Sequence, residues 1–235
     1  MRSFHLALAV VLASRAAGVA PVVVAAADRG HPTVVELFTA QGCAACPPAD
    51  AALGRLATRP DVLPLSFSVT YWDRFGWRDP LARPEFTERQ YAYARTGRRE
   101  AGTPQFVVNG RFATPYRGDA ALARAIDSAD RGAAGPAISS REDRVLIGAD
   151  ARSARDAAVW LVEYDPRTIR TPVPVGQNGG RTLAHRNVVC ALRRLGGWTG
   201  AAASFPLPPA RPGLRRAVLV QGTDGGAIIA ARAIP

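Results

Sequence analysis

The chain has no lysine; all 30 of its basic side chains are arginines. This absence removes Schiff-base catalysis, the phosphate loop that needs Gly-Lys-Ser/Thr, and Ser–Lys hydrolysis. Histidine is nearly as scarce. There are three copies, and His5 lies in the N-terminal apolar segment, which excludes His-rich metal sites and HExxH zinc proteases. The three cysteines include only one close pair, so a four-ligand cysteine zinc site is excluded too. No long uncharged apolar run exists either. Arg15 interrupts the first one, and a span of about 20 residues is not available without burying a charge. Acidic residues are in deficit, 19 against 30, for a net charge of +11. That balance invites a nucleic-acid partner, but the arginines are scattered, no basic stripe occurs and no recognition motif is present; none is expected.

What remains is a globular composition. The 235 residues are enough to bury a sizeable core, and 48% of them are hydrophobic. The 22 glycines and 19 prolines favour turns over long helices. Residues 1–27 read as an export signal: Arg2, the apolar run Leu6–Ala13, then a small-x-small cleavage site at Ala25-Ala26-Ala27, with an alternative cut after Ala20. The expected location is periplasmic or secreted, with no membrane span after signal cleavage. In such a compartment a cysteine pair is normally a disulfide.

Two halves of different texture follow. Thr33–Phe38 is β-branched and apolar, the pattern of a buried strand. Pro47–Thr58 carries Ala49, Ala52, Leu53 and Leu56 on one helical face and opens with prolines. Val62–Val69 is a second strand, and strand–helix–strand implies a right-handed parallel crossover. A helix is expected over Pro84–Thr96, strands over Gln105–Val108 and Arg111–Ala113 around an Asn109-Gly110 hairpin turn, and a helix over Asp119–Ala129. The order βαβ then ββα is the minimal thioredoxin-like arrangement, assigned to residues 33–130. After a boundary at Arg131–Pro136, short strands are expected at Ala157–Tyr164, Thr171–Val175, Arg216–Gln221 and Ala227–Ile234. Together they make a mostly β, sandwich-like domain over 137–235. His185–Leu195 is ambiguous between strand and helix.

Cys43-Ala44-Ala45-Cys46 carries the chemistry. The pair lies between a buried strand and the first turn of a helix, where unpaired backbone N–H groups and the positive end of the helix dipole favour a thiolate. Cys43 is expected to be the exposed attacking sulfur and Cys46 the shielded resolving one. Two other readings use the same residues: a non-enzymatic binding module in which the pair is a structural disulfide, and a copper(I)-handling protein, since copper(I) needs only two soft ligands.

Other candidates surround the pair. Thr103-Pro104 is an X-Pro bond directly before a strand, where thioredoxin-like folds place a cis proline that presents backbone to a substrate chain. Glu36 is the lone acid in Thr33–Phe38, on the face of Val34 and Phe38; it either relays protons to Cys46 or pairs with an arginine. Trp72, Asp73 and Trp77 follow the second strand as a substrate rim or as plain packing. Asn178, Arg181, His185 and Asn187 cluster around Gly179-Gly180 and read as a structured loop. Cys190 is a lone thiol of the kind that is usually a small buried residue.

The segments VVELFTAQGCAACPPAD, SVTYWDRFGWRDP and TPQFVVNGR, with GRTLAHRNVV and the terminal VLVQ and GAIIAA stretches, resemble domain-of-unknown-function family 1223, exported bacterial proteins with a thioredoxin-like domain. The resemblance implies a thioredoxin-like fold and places Cys43, Cys46 and Thr103-Pro104 at the redox positions. It implies no substrate. The expectation is a thiol-disulfide oxidoreductase of the cell envelope without an organic cofactor, whose partners are exported proteins bearing thiols or disulfides and a separate redox partner.

Overall fold

The computed structural model describes residues 26–97, 100–151 and 156–235; the expected export signal lies outside the described residues up to residue 25. Strand β1 (Thr33–Thr39) pairs in parallel with β2 (Val62–Ser68) across helix α1 (Cys46–Leu56). Both strands are buried along their whole length, because helices or further strands cover both faces. A short 3-10 helix (Thr70–Phe75) leads to α2 (Pro84–Arg95), which opens on a proline whose missing N–H costs nothing there. Strand β3 (Gln105–Val108) then runs antiparallel to β1 and pairs with β4 (Phe112–Pro115), followed by α3 (Asp119–Ser128). Asn109 and Gly110 turn the hairpin with φ of 46° and 61°, as expected of this dipeptide. Gly110 has a second reason to be glycine: a Cβ there would stand 2.6 Å from the Gly226 carbonyl oxygen.

The second half comprises β5 (Ile138–Arg141), β6 (Arg144–Ile147), β7 (Ala157–Asp165), β8 (Ile169–Pro172), β9 (Thr182–His185), β10 (Val188–Trp198), β11 (Ala203–Pro206), β12 (Arg215–Gly222) and β13 (Ile228–Ile234). The expected independent sandwich over 137–235 needs correction. β10 docks on β2, with Ser66 N–H donating to the Asn187 carbonyl at 2.9 Å, and β7, β12 and β13 continue beyond it. One eight-stranded sheet results, in the order β13-β12-β7-β10-β2-β1-β3-β4. The physical reason is the edge of β2: its apolar residues and unpaired backbone groups would otherwise face solvent. Sandwich character persists locally. The small β11-β6-β5 sheet faces β7, β12 and β13 across a core of Ile138, Val145, Ile147, Val159, Trp198 and Val218. Its strands were not legible because each is only four residues long, too short for an alternation to stand out. The ambiguous segment is strand on both sides of the Arg186-Asn187 turn.

The large sheet curls on itself. Ile228 N–H, at the start of β13, donates to the Asn109 carbonyl at 2.9 Å, so strands from opposite ends of the sheet meet. Helix α2 fills the concave side, where Phe86 and Tyr93 pack with Phe38, Phe67, Val162 and Leu219. The opposite face of β1 and β3 is covered by α1 and α3 through Val35, Leu37, Leu53, Phe106, Leu122 and Ile126. No helix among the described residues is long and apolar enough to cross a membrane.

Candidate functional site

β1 ends at Thr39, the chain turns through Ala40–Gly42, and Cys43 and Cys46 form a disulfide at the mouth of α1. Cys43 N–H donates to the Ala40 carbonyl and Cys46 N–H to the Cys43 carbonyl, at 3.2 and 3.1 Å. Pro47 and Pro48 carry no N–H, and no acidic side chain stands in the first helical turn. The helix dipole therefore meets the two sulfurs without a competing carboxylate.

The expectation of an exposed Cys43 is overturned: Cys43 is 2% and Cys46 0% exposed. The cover is the loop between β8 and β9, in the half of the chain that sequence reading kept apart. Asn178, fully buried, donates its side-chain amide to the carbonyls of Gln41 and Cys43, both at 2.9 Å. Arg181 donates to the Asn178 carbonyl oxygen at 2.6 Å. The neighbouring Gln177 accepts the Ala44 N–H at 3.0 Å. The loop thus occupies the backbone groups around the disulfide that an incoming chain would use.

Beneath this cover lies a buried polar chain. His185 Nδ1 stands 3.3 Å from Asp50 Oδ1, and its Nε2 meets the Gln41 side-chain amide at 2.8 Å. With the ring proton on Nδ1 facing Asp50, Nε2 is free to accept from the amide. Thr39 donates its hydroxyl to the other Asp50 oxygen at 3.2 Å. Asp50 lies four residues after Cys46, on the same face of α1. Asp79 accepts the backbone N–H groups of Gln41 and Leu81, and burial, its largest influence, raises its pKa. Among the described residues no three His, Cys, Asp or Glu side chains converge as a metal site.

Trp72 links the expected site residues. It packs on Gly42, where a Cβ would meet its ring at 3.3 Å, and donates its indole N–H to the Thr103 hydroxyl at 2.8 Å. The Thr103–Pro104 bond is cis. Trp72, Asp73 and Trp77 line a groove of about 500 Å³ beside Gly42, together with Phe75, Val175 and Gln177. Phe75 and Val175 are 56% and 45% exposed, so this groove displays apolar surface next to the disulfide.

Glu36 is placed elsewhere. Alternation does put it on the Val34–Phe38 face, which α2 covers together with the two cysteines, while the body of α1 packs on the opposite face through Ala49, Ala52 and Leu53. Its carboxylate accepts from Arg89 Nε at 2.6 Å and from the Tyr93 hydroxyl, and Gln221 donates to Tyr93 at 3.0 Å. Of its two expected roles, the structure contains the arginine partner. Asn187 is a strand connector that donates to the Pro64 carbonyl, and Cys190 is a half-buried free thiol whose pKa burial pushes up. Sequence reading missed Gln41, Asp50, Asp79 and Gln177, and left Asn178 and His185 as loop residues. One local signal was available: Asp50 is an acid on the apolar face of an amphipathic helix, one turn after a cysteine.

A mixed α/β chain whose one disulfide joins a strand to a helix, under a loop from its own second half, is the class these observations define. Residues 34–221 match the family described as "Protein of unknown function (DUF1223)", and the chain belongs to it. Protein AGR_C_4864 from Agrobacterium tumefaciens has a similar structure, with 32% identity, a TM-score of 0.71, and coverage of 88% of this chain and 94% of that one. HBP35 of Porphyromonas gingivalis shares the fold at 16% identity and a TM-score of 0.61, over 89% of this chain and 76% of that one. Among curated proteins none matches.

Proposed function

We propose that this protein is a thiol-disulfide oxidoreductase of the cell envelope, built on a thioredoxin-like unit formed by β1–β4 with α1 and α3. The carrying observation is a disulfide at the positive end of α1 with no carboxylate in the first turn. From the oxidised pair, a substrate thiolate attacks Cys43 Sγ, the Cys43–Cys46 bond breaks, and Cys46 leaves as a thiolate. A second substrate thiolate then attacks the substrate sulfur of the mixed disulfide and releases Cys43. The substrate gains a disulfide, and the protein holds the two electrons as a dithiol; the reverse sequence reduces a substrate. Asp50 and His185 are the buried polar pair one helical turn beyond Cys46, 3.3 Å apart. The apolar groove beside Gly42 supports a substrate segment with an apolar side chain near its cysteine. The envelope location rests on the N-terminal sequence.

Burial of both sulfurs favours a second reading, a structural staple. The reduction potential separates the two. A pair below about −300 mV resists cellular dithiols and is a staple. A higher potential, with Cys46→Ser trapping mixed disulfides on exported proteins, supports exchange. Equal alkylation rates at both cysteines, with no trapped partner from either serine variant, would remove the exchange mechanism.

A further inference from the structure

A groove of about 690 Å³ lies at the other end of the strands. Arg29, before β1, and Arg59, on the α1–β2 connection, line it from the first half. Arg167, Arg186 and Arg215 line it from the ends of β7, β9 and β12. No acidic residue is among its lining residues. The other grooves differ: Asp73 and Asp79 line the one beside Gly42, Glu85, Glu88 and Asp224 the one beside α2, and Glu100 the one beside Pro104. The overall surplus of arginine therefore does not explain this convergence, since these three concavities are lined by acidic residues alone or by both signs.

Two of the five charges are offset locally, Arg59 by Asp61 and Arg167 by Asp165, each at 2.5 Å. Arg215 stands opposite Tyr164 across the β12–β7 pair, and a phenol carries no charge at neutral pH. Arg29 and Arg186 form no ion pair with any described carboxylate. Three guanidiniums thus share one concave surface with their charge uncompensated. Like charges so placed repel. A guanidinium presents a planar fork of donors that suits phosphate oxygens in bidentate geometry.

We propose that this groove binds phosphate groups, at least two negative charges at a time whether on one ligand or on neighbouring headgroups, as a site separate from the disulfide. β1 separates them: Arg29 precedes its first residue and Cys43 follows its last, a span of about 20 Å at roughly 3.3 Å per residue. A ligand held in the groove leaves the disulfide and its apolar groove facing away from it. Free polyphosphate and the headgroups of anionic phospholipid supply the same chemistry, and the two are separable by experiment.

The test uses the whole folded protein with inorganic tripolyphosphate in calorimetry, and with phosphatidylcholine vesicles made with and without phosphatidylglycerol in co-sedimentation. The groove variant is Arg186→Gln/Arg215→Gln; a control of equal charge loss is Arg124→Gln/Arg193→Gln, also on exposed positions. All four substitutions are at the surface, and an unchanged melting curve verifies the fold. The expected result is binding of at least one probe, weakened about ten-fold or more in the groove variant by loss of two charge-assisted contacts, and within about two-fold of wild type in the control. Tripolyphosphate binding identifies a free phosphate ligand; groove-dependent binding to phosphatidylglycerol vesicles alone identifies a headgroup. Equal weakening in both variants reduces the effect to net charge and overturns the proposal, as does the absence of binding to either probe.

Discussion

Removing the Asn178 side chain should expose the disulfide without unfolding the protein. Asn178 is fully buried and holds the β8–β9 loop to the cysteine turn through two hydrogen bonds, to the carbonyls of Gln41 and Cys43. Each such bond is worth about 1 kcal/mol net, so Asn178→Ala lowers the free energy of lifting the loop by about 2 kcal/mol. Gln177 still accepts from Ala44, and β8 still pairs with β9, so the loop remains anchored. If dithiothreitol reaches the sulfurs only through the lifted state, the reduction rate follows the population of that state. At a factor of ten per 1.4 kcal/mol, 2 kcal/mol corresponds to about thirty-fold faster reduction. The assay is timed reduction in native buffer, quenched by alkylation and read by mass as two added groups beyond Cys190. Circular dichroism melting controls for global destabilisation. A reduction rate unchanged from wild type, at an unchanged melting temperature, would refute the idea that this loop governs access.

Three further outcomes follow from buried groups. Glu36→Gln leaves the Arg89 guanidinium buried beside a neutral amide, so stability should fall by about 3 kcal/mol, seen as a melting temperature lower by about 10 °C, with the pH profile of disulfide exchange preserved; a flattened profile at unchanged stability would make Glu36 a proton relay after all. Asp50→Asn keeps the side-chain volume but removes the carboxylate charge 3.3 Å from His185 Nδ1, so the melting temperature should fall by a few degrees, an effect of about 1 kcal/mol, while the fold persists; an unchanged melting temperature would mean that this contact adds nothing to stability. Burial pushes the Tyr71 phenol up to about 12 and also raises Tyr93 well above the ordinary phenol value. The unfolded chain ionises these phenols near pH 10 and the folded one later, so the unfolded state binds fewer protons between these values and stability should fall as pH rises from about 10 toward 12. Chemical denaturation across that window, alongside phenolate absorbance, checks the sign; constant stability would contradict it.

The first half of the fold was readable because its signals are local. A β-branched run, prolines at two helix starts and Asn109-Gly110 each act within about ten residues, and they set β1–β4 and α1–α3 close to their observed bounds. The cysteine pair was readable for the same reason, being placed by a strand end and a helix start. Alternation even gave Glu36 its correct face. It could not tell which helix covers that face, because this depends on where α2 lands.

The arrangement that decides accessibility was not readable. Asn178 reaches Cys43 across 135 residues and His185 reaches Gln41 across 144. Such contacts leave no periodic trace in a single sequence, and a polar residue in a glycine-rich loop looks the same whether it faces water or caps a disulfide. Both follow from one event, the docking of β10 on the edge of β2, which lays the β8–β9 ribbon over α1. The same docking assembles the arginine groove from both halves of the chain. Local residue order was sufficient to place a disulfide at a helix terminus; only the pairing of distant strands decided that it is covered, and by what.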